Sequence, residues 1–581
     1  MVRCFIFGGF MEYAAIRHIA DSKYCYALGK GHFLFRLQVK KNDVRKVILH
    51  YRDKNISVAY FDTRAQVEMK IASSDRYHDY FEAEIQFDVL NLRYYFEIED
   101  MEGKVVYYTN YIFSDVKTEN IDQMFNCPQE LREQQMFEVP EWATNKVVYQ
   151  IFPSRFCTSK DVTKEEWYKA PINYNDDIKG DLKGLISRLE HIKALGVDVL
   201  YVTPIFMADT CHKYDTIDYY TIDPSFGTKD DLKELVKKAH AMGMRVLLDA
   251  VFNHTGTKFF AFADLLEKQE ESKFKDWYYV DEFPIHWGNG GKPSFKTFAY
   301  FGGMPKLNLG NQEVQDYCLE VAKYWIKECD IDGWRLDVGD EVPHAFWKRF
   351  RREIKAVKED ALIVGEVWYY ANDFLEGDEW DTVMSYPFYG AVMDLVAHEG
   401  ITVSEFVNRI GFMKGNLHKK IYPLMFNLID SHDTPRFLHS AGHCLDKQKL
   451  AAAFQLLSPG MPMIYYGDEF AMEGAQDPDN RRGMYWDENY QNKDMFIWYQ
   501  KLISIRKEHR VICEGKISTL KTDDIMKTIE LTKVNEQETV TVIFNCSREE
   551  RHKGEYCGMQ NLITGNKFDG IIKPFETIVL K

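Results

Sequence analysis

From about residue 12 to 120, apolar and polar side chains alternate almost one for one. Phe33, Phe35, Leu37 and Val39 alternate with Leu34, Arg36, Gln38 and Lys40. Phe81, Ala83, Ile85 and Phe87 alternate with Glu82, Glu84 and Gln86, and Leu92, Tyr94, Phe96 and Ile98 with Arg93, Tyr95, Glu97 and Glu99. A period of two over such lengths means strands with one buried face, hence a β-sandwich. A polar stretch, Lys117–Pro140, reads as a linker. After it the pattern changes to short apolar runs separated by amphipathic stretches. Val147–Phe152, Val199–Thr203, Val246–Ala250, Gly333–Asp337, Ala361–Gly365, Thr382–Met384, Met425–Leu428 and Met463–Tyr466 read as buried strands. Between them fall helices such as Leu185–Leu195. Another begins at Thr228, with Asp231 completing a capping box and Leu232, Leu235, Val236 and Ala239 on one face.

Eight strand–helix repeats point to a (β/α)8 TIM barrel, and the excess over a minimal barrel of roughly 250 residues sits mainly in one insert, Thr255–Leu309. An open doubly wound sheet is the competitor, but no Gly-rich phosphate turn follows the first strand. From about Val511 the period returns to two, as in Thr539–Phe544 and Ile571–Leu580. The expected fold is therefore multidomain. It comprises an N-terminal β-sandwich (1–122), a (β/α)8 barrel (123–510) with an inserted domain B (255–309), and a C-terminal all-β domain (511–581).

Composition narrows the function classes. The net charge of −16 over 581 residues argues against nucleic acid or an anionic membrane as partner, since both reward clustered Lys and Arg. No run of 18 apolar residues is present, so no transmembrane segment is expected. The start, MVRCFIFGGFMEY, lacks a small-residue cleavage site and is not read as a signal peptide. Met11 is a candidate initiator, with the first ten residues a leader outside the fold. Eleven cysteines, scattered without a CxxC pair, fit reduced thiols and a cytoplasmic location better than disulfides or a zinc site.

In a barrel, function gathers at the C-terminal strand ends. Strand three ends in Asp249, followed by Asn253 and His254. Strand four ends in Arg335 and Asp337, which share a side because side chains alternate. The guanidinium is expected to keep Asp337 ionised, as a covalent nucleophile requires. Strand five ends in Glu366, between Val364 and Trp368, an apolar setting that favours the protonated form a general acid needs. Strand seven leads to His432 and Asp433. Two carboxyls in contrasting settings are the signature of glycoside hydrolysis.

These clusters resemble the conserved regions of the α-amylase family of glycoside hydrolases (family 13). DAVFNH at Asp249–His254, GWRLD at Gly333–Asp337, GEVW at Gly365–Trp368 and SHD at Ser431–Asp433 occur in the family's order. MPKLN at Met304–Asn308 is similar to the marker of the neopullulanase, cyclomaltodextrinase and maltogenic amylase subgroup. The N-terminal module resembles that subgroup's family 34 carbohydrate-binding domain. The resemblance implies Asp337 as nucleophile, Glu366 as acid/base and Asp433 as transition-state stabiliser. It implies substrate binding by Tyr214, His254, Arg335, His432, Asp249, Glu341, Trp368, Asp477 and Arg481. The implied substrates are cyclodextrins and α-glucan oligosaccharides, with pullulan and starch further candidates. The implied assembly is a homodimer through the N-terminal domain. No cofactor is needed for the chemistry.

Departures from the subgroup pattern are Pro435 after Thr434, Tyr369 after the GEVW tryptophan, and Cys157-Thr158-Ser159-Lys160 in place of an Asn/Asp-rich calcium loop. Gly180, Asp181 and Asn253 alone match calcium positions, which implies a structural Ca²⁺ there. Two alternatives are weighed. One, an enzyme acting mainly by transglycosylation or α-1,6 cleavage, stays open at this level. The other, a non-catalytic amylase-like interaction protein, would lack the full carboxylate set and carry a membrane span, and this sequence decides both features against it.

Overall fold

The structure, a computed structural model, describes residues 11–55, 64–174, 176, 178–288 and 292–581. The leader read ahead of Met11 lies outside the described residues. Contacts group the chain into two compact units. One comprises Met1–Glu138, Asn372–Asp378 and Ser404–Tyr422; the other comprises Val139–Ala371, Glu379–Val403 and Pro423–Lys581.

The first unit is a sandwich of two antiparallel sheets. In one sheet His32–Lys40 pairs with His78–Gln86, and in the other Val44–Asp53 pairs with Asn91–Asp100. Phe33, Phe35, Leu37 and Val39 enter the core, as alternation requires. The opposite face of His32–Lys40 departs from expectation, because Leu34 and Arg36 are buried too. Helix Val403–Asn416 and the turn after it cover that face. Arg36 donates to the Leu417 carbonyl at 3.0 Å, and Lys414 Nζ to the Ala72 carbonyl at 2.8 Å. A sheet face covered by a helix loses the polar face that a solvated one keeps. The expected linker also holds structure: Phe125–Pro128 is a strand paired with Asn91–Tyr94, and Gln129–Gln134 is a helix.

In the second unit all eight expected barrel strands form: β1 (Val148–Ile151), β2 (Val199–Val202), β3 (Arg245–Ala250), β4 (Gly333–Leu336), β5 (Leu362–Gly365), β6 (Thr382–Val383), β7 (Phe426–Asn427) and β8 (Met461–Tyr465). They pair in parallel in the order β6-β5-β4-β3-β2-β1-β8-β7, and a parallel bridge between Met384 and Phe426 links β6 to β7. Being buried on both faces, they read as apolar runs. Thr228 and Asp231 form the expected capping box. The expected helix Leu185–Leu195 is instead two, Leu182–Ser187 and Leu189–Leu195, parted at Arg188. The insert after β3 returns beside the strand end, where His254 pairs with Lys306 and Leu307 donates to the Asn253 carbonyl at 3.0 Å. At the C-terminus, Lys516–Asp523, Thr528–Val534, Thr539–Asn545 and Thr577–Leu580 form one antiparallel sheet.

Candidate active site

Parallel register sets the centre of the site. Asp249 on β3 lies beside Arg335 on β4, and alternation along β4 brings Asp337 to the same side. Arg335 Nη1 lies 2.7 Å from Asp337 Oδ1 and 3.0 Å from both carboxylate oxygens of Asp249. Its Nη2 lies 2.8 Å from Glu366 Oε2, at the end of β5. One fully buried guanidinium therefore faces three carboxyls. Glu366 also accepts from the Val338 N–H at 2.9 Å and from Trp368 Nε1–H at 3.3 Å.

This balance corrects the expectation at Asp337. Burial pushes its carboxyl well above the usual carboxylate range, with Glu366 and Asp249 adding to the effect against the pull of Arg335. One guanidinium shared among three buried carboxyls offsets their burial only in part, so Asp337 binds a proton more tightly than a free aspartate does.

Asp337, Glu366 and Asp433 line one cleft of about 510 Å³ together with Tyr214, His254, Glu341, Trp368, Asp477 and Arg481. Burial and Glu366 push Asp433 up to about 7, against Arg481 and Arg335. Arg481 Nη2 is 3.3 Å from Asp433 and Nη1 is 2.9 Å from Asp477, while Nε donates to the His432 carbonyl at 2.8 Å. Trp368 is half exposed and stacks on Tyr386 at 4.0 Å.

The remaining expected substrate contacts, Asp249, Arg335 and His432, are buried behind the cleft wall. Asp249 accepts from Tyr201 Oη at 2.7 Å and Tyr214 Oη at 3.1 Å. His432 is held neutral by burial. Its Nδ1 meets the Gln150 amide N–H at 2.8 Å, so Nε2 carries the proton and faces Tyr214 Oη and Asp433. His254 is buried, stacks on Phe298, and presents Nε2 without a protein partner.

Sequence reasoning missed Gln150 and Tyr201. Gln150 is the one amide in the apolar run Val147–Phe152, a signal that could have found it. Tyr201 reads as another apolar strand residue. It also missed His212, Phe298 and Asp340, which line the cleft from a loop and from two short 3₁₀ helices, Phe298–Tyr300 and Gly339–Glu341, too short to show a period.

The residues implied for calcium do not fit a cation. The Asp181 carboxylate caps helix Leu182–Ser187 through the Gly184 N–H at 2.7 Å and accepts from Ser159 Oγ at 2.8 Å. Asn253 Oδ1 accepts from the Lys306 ammonium, which also bonds Glu341 at 2.7 Å. A fixed ammonium on that oxygen repels a second cation. At Gly180 a Cβ would lie 2.2 Å from the Pro153 carbonyl, so this glycine serves close packing. Among the described residues no group of three or more His, Cys, Asp or Glu is arranged to hold a metal, and none of the described helices is long and apolar enough to cross a membrane.

Residues 150–515 match the family model described as alpha amylase, catalytic domain, and residues 11–129 match alpha amylase, N-terminal ig-like domain. A cyclomaltodextrinase from Geobacillus thermopakistaniensis is 39% identical over 572 residues, covering 96% of each chain. An intracellular maltogenic amylase from Bacillus subtilis is 35% identical over 550 residues, covering 93% of this chain and 92% of that one. A solved cyclomaltodextrinase structure superposes with a TM-score of 0.90 at 36% identity, covering 98% of this chain and 97% of that one. The register of the barrel strands, the carboxyls gathered at their ends and these matches lead to one conclusion: the chain belongs to the α-amylase family of glycoside hydrolases.

Proposed function

We propose that the chain is a retaining α-glucan hydrolase that cleaves α-1,4 bonds of cyclodextrins and short maltooligosaccharides by double displacement. The observation that carries this reading is the convergence of Asp337, Glu366 and Asp433 on one cleft, with Arg335 bonded to the first two. Glu366, as the acid, gives a proton to the glycosidic oxygen as Asp337 attacks the anomeric carbon. The leaving sugar departs with that proton, and a glycosyl ester forms on Asp337. Glu366 then takes a proton from water, whose oxygen displaces Asp337 from the opposite face. Two inversions keep the α configuration.

Asp433 opposes the positive charge on the ring, Tyr214 stacks beneath the sugar, and the unpartnered Nε2 of His254 meets a ring hydroxyl. Arg335, Asp249 and His432, buried behind the wall, position the groups that touch substrate. Glu341, Trp368, Asp477 and Arg481 extend the binding surface along the cleft. The substrate class rests on the MPKLN segment and on the names of the relatives. The chemistry uses no cofactor.

All ten described cysteines are unpaired, which supports a cytoplasmic location. The exposed apolar residues of the N-terminal module, among them Ile71, Leu90, Ile112 and Val116, support a homodimer formed through it.

The test is substitution at the two reacting carboxyls. Asp337→Asn and Glu366→Gln are each expected to lower kcat on β-cyclodextrin by about 10³-fold or more, with circular dichroism unchanged, because each role needs an ionisable oxygen at one point. A folded Asp337→Asn variant with near-parent kcat would remove the nucleophile assignment.

A further inference from the structure

The outer face of the second sandwich sheet carries a basic cavity, of about 340 Å³, that the glycosidase chemistry does not use. Antiparallel register sets Arg52 directly opposite Arg93, and His50 opposite Tyr95. Like charges facing each other across a strand pair are destabilising. Here the pair is reinforced by Lys117 and Arg64, while Glu119 is the one carboxylate among the described lining residues.

Glu119 takes both Nη groups of Arg52, at 3.2 Å through Oε2 and at 2.5 Å through its carbonyl, while Arg93 Nη1 reaches only the Met124 carbonyl, at 3.4 Å. Arg52 is only 7% exposed, and the buried Nε–H groups of both arginines have no partner. Those Nε–H groups lie sealed behind the cavity wall, so what a ligand in the cavity meets is the positive charge gathered by Arg52, Arg93, Lys117 and Arg64, and that charge calls for an anionic occupant. A phosphoryl group suits it, since planar guanidinium forks match its oxygens. Beside the arginines, His50 and Tyr95 stack at 4.8 Å and 8°, and His50 is tied to Glu97 at 2.9 Å. This stacked pair gives a flat wall for the body of a small ligand. The concentration of cations stands against a chain whose net charge is −16.

We propose that this cavity binds the phosphoryl group of a small phosphate ester of sugar size, at a site separate from the glycosidase cleft. Isothermal titration of the full chain with glucose 6-phosphate, inorganic phosphate and glucose tests it. The ester is expected to bind, phosphate more weakly, and glucose not at this site. The double variant Arg93→Gln/Lys117→Gln is expected to lose about tenfold or more in ester affinity, the size of one charge-assisted contact, with β-cyclodextrin turnover unchanged. Equal binding of phosphate and ester, lost together in the variant, would support the phosphoryl contact and make free phosphate the occupant. If neither anion binds by about 10 mM, a Kd too weak to specify a site, the proposal is overturned. Binding undiminished in the variant would mean an adventitious ion only, and would overturn it equally.

Discussion

Asp433 carries the clearest cost of function at the scale of single residues. Its carboxyl is raised to about 7 by burial and by Glu366, whereas an unfolded aspartate titrates near ~3.9. Between those values the folded chain binds the proton and the unfolded chain does not. The contribution to stability is therefore complete below the unfolded value and is lost as pH rises through about 7. Asp433→Asn removes that loss together with the group. The variant is expected to be nearly inactive yet to melt higher than the parent at pH 8, by about 1 °C for each 1 kcal/mol regained in a unit of this size, and to show no such gain at pH 4. A lower melting point at pH 8 would contradict the electrostatic balance drawn for the cluster. The three carboxyls were legible from their places at the ends of apolar runs. The upward shifts at Asp337 and Asp433 were not, because the pairing of Arg335 with Asp337 is local in sequence while burial and the carboxyls of other strands act from outside it.

Among the elements, helix Val403–Asn416 decides most in the first unit. It covers a sheet face that alternation alone would leave to solvent, and it approaches closely because Gly411 and Gly415 lack side chains. A Cβ on Gly411 would lie 1.9 Å from the Ser74 carbonyl, and one on Gly415 would lie 2.5 Å from the Tyr80 ring. In a free helix, glycine to alanine gains about 1 kcal/mol. Here a clash with backbone outweighs that gain, so Gly411→Ala is expected to destabilise by about 1–3 kcal/mol in urea melts, the usual cost of overpacking. A stabilised variant would mean that the helix does not sit against this sheet. The sequence could not reveal this contact, since residues 404–422 lie far along the chain from the sheet they cover. For the same reason Lys117–Pro140 read as a linker: its strand, Phe125–Pro128, is too short to show a period. Arg188 parts two helices within one continuous apolar pattern, which periodicity cannot detect.

For the molecule as a whole, the barrel was legible because parallel strands buried on both faces leave apolar runs, and the insert was legible as surplus length after β3. What surrounds the cleft was less so, since loops carry no period. The absence of tryptophan from the N-terminal module before Trp142 argues against free starch binding as its main task, because flat exposed indoles suit sugar faces best. The chain is accordingly expected to sediment as a dimer at micromolar concentration and to show a higher kcat/KM on β-cyclodextrin than on starch. A monomer that keeps the cyclodextrin preference would separate substrate choice from assembly. The central claim is double displacement at Asp337, and the anomeric form of the first product tests it most directly. Proton NMR of β-cyclodextrin hydrolysis, recorded before mutarotation, is expected to show the α anomer at the new reducing end. Accumulation of the β anomer at early times would contradict a glycosyl-enzyme intermediate on Asp337.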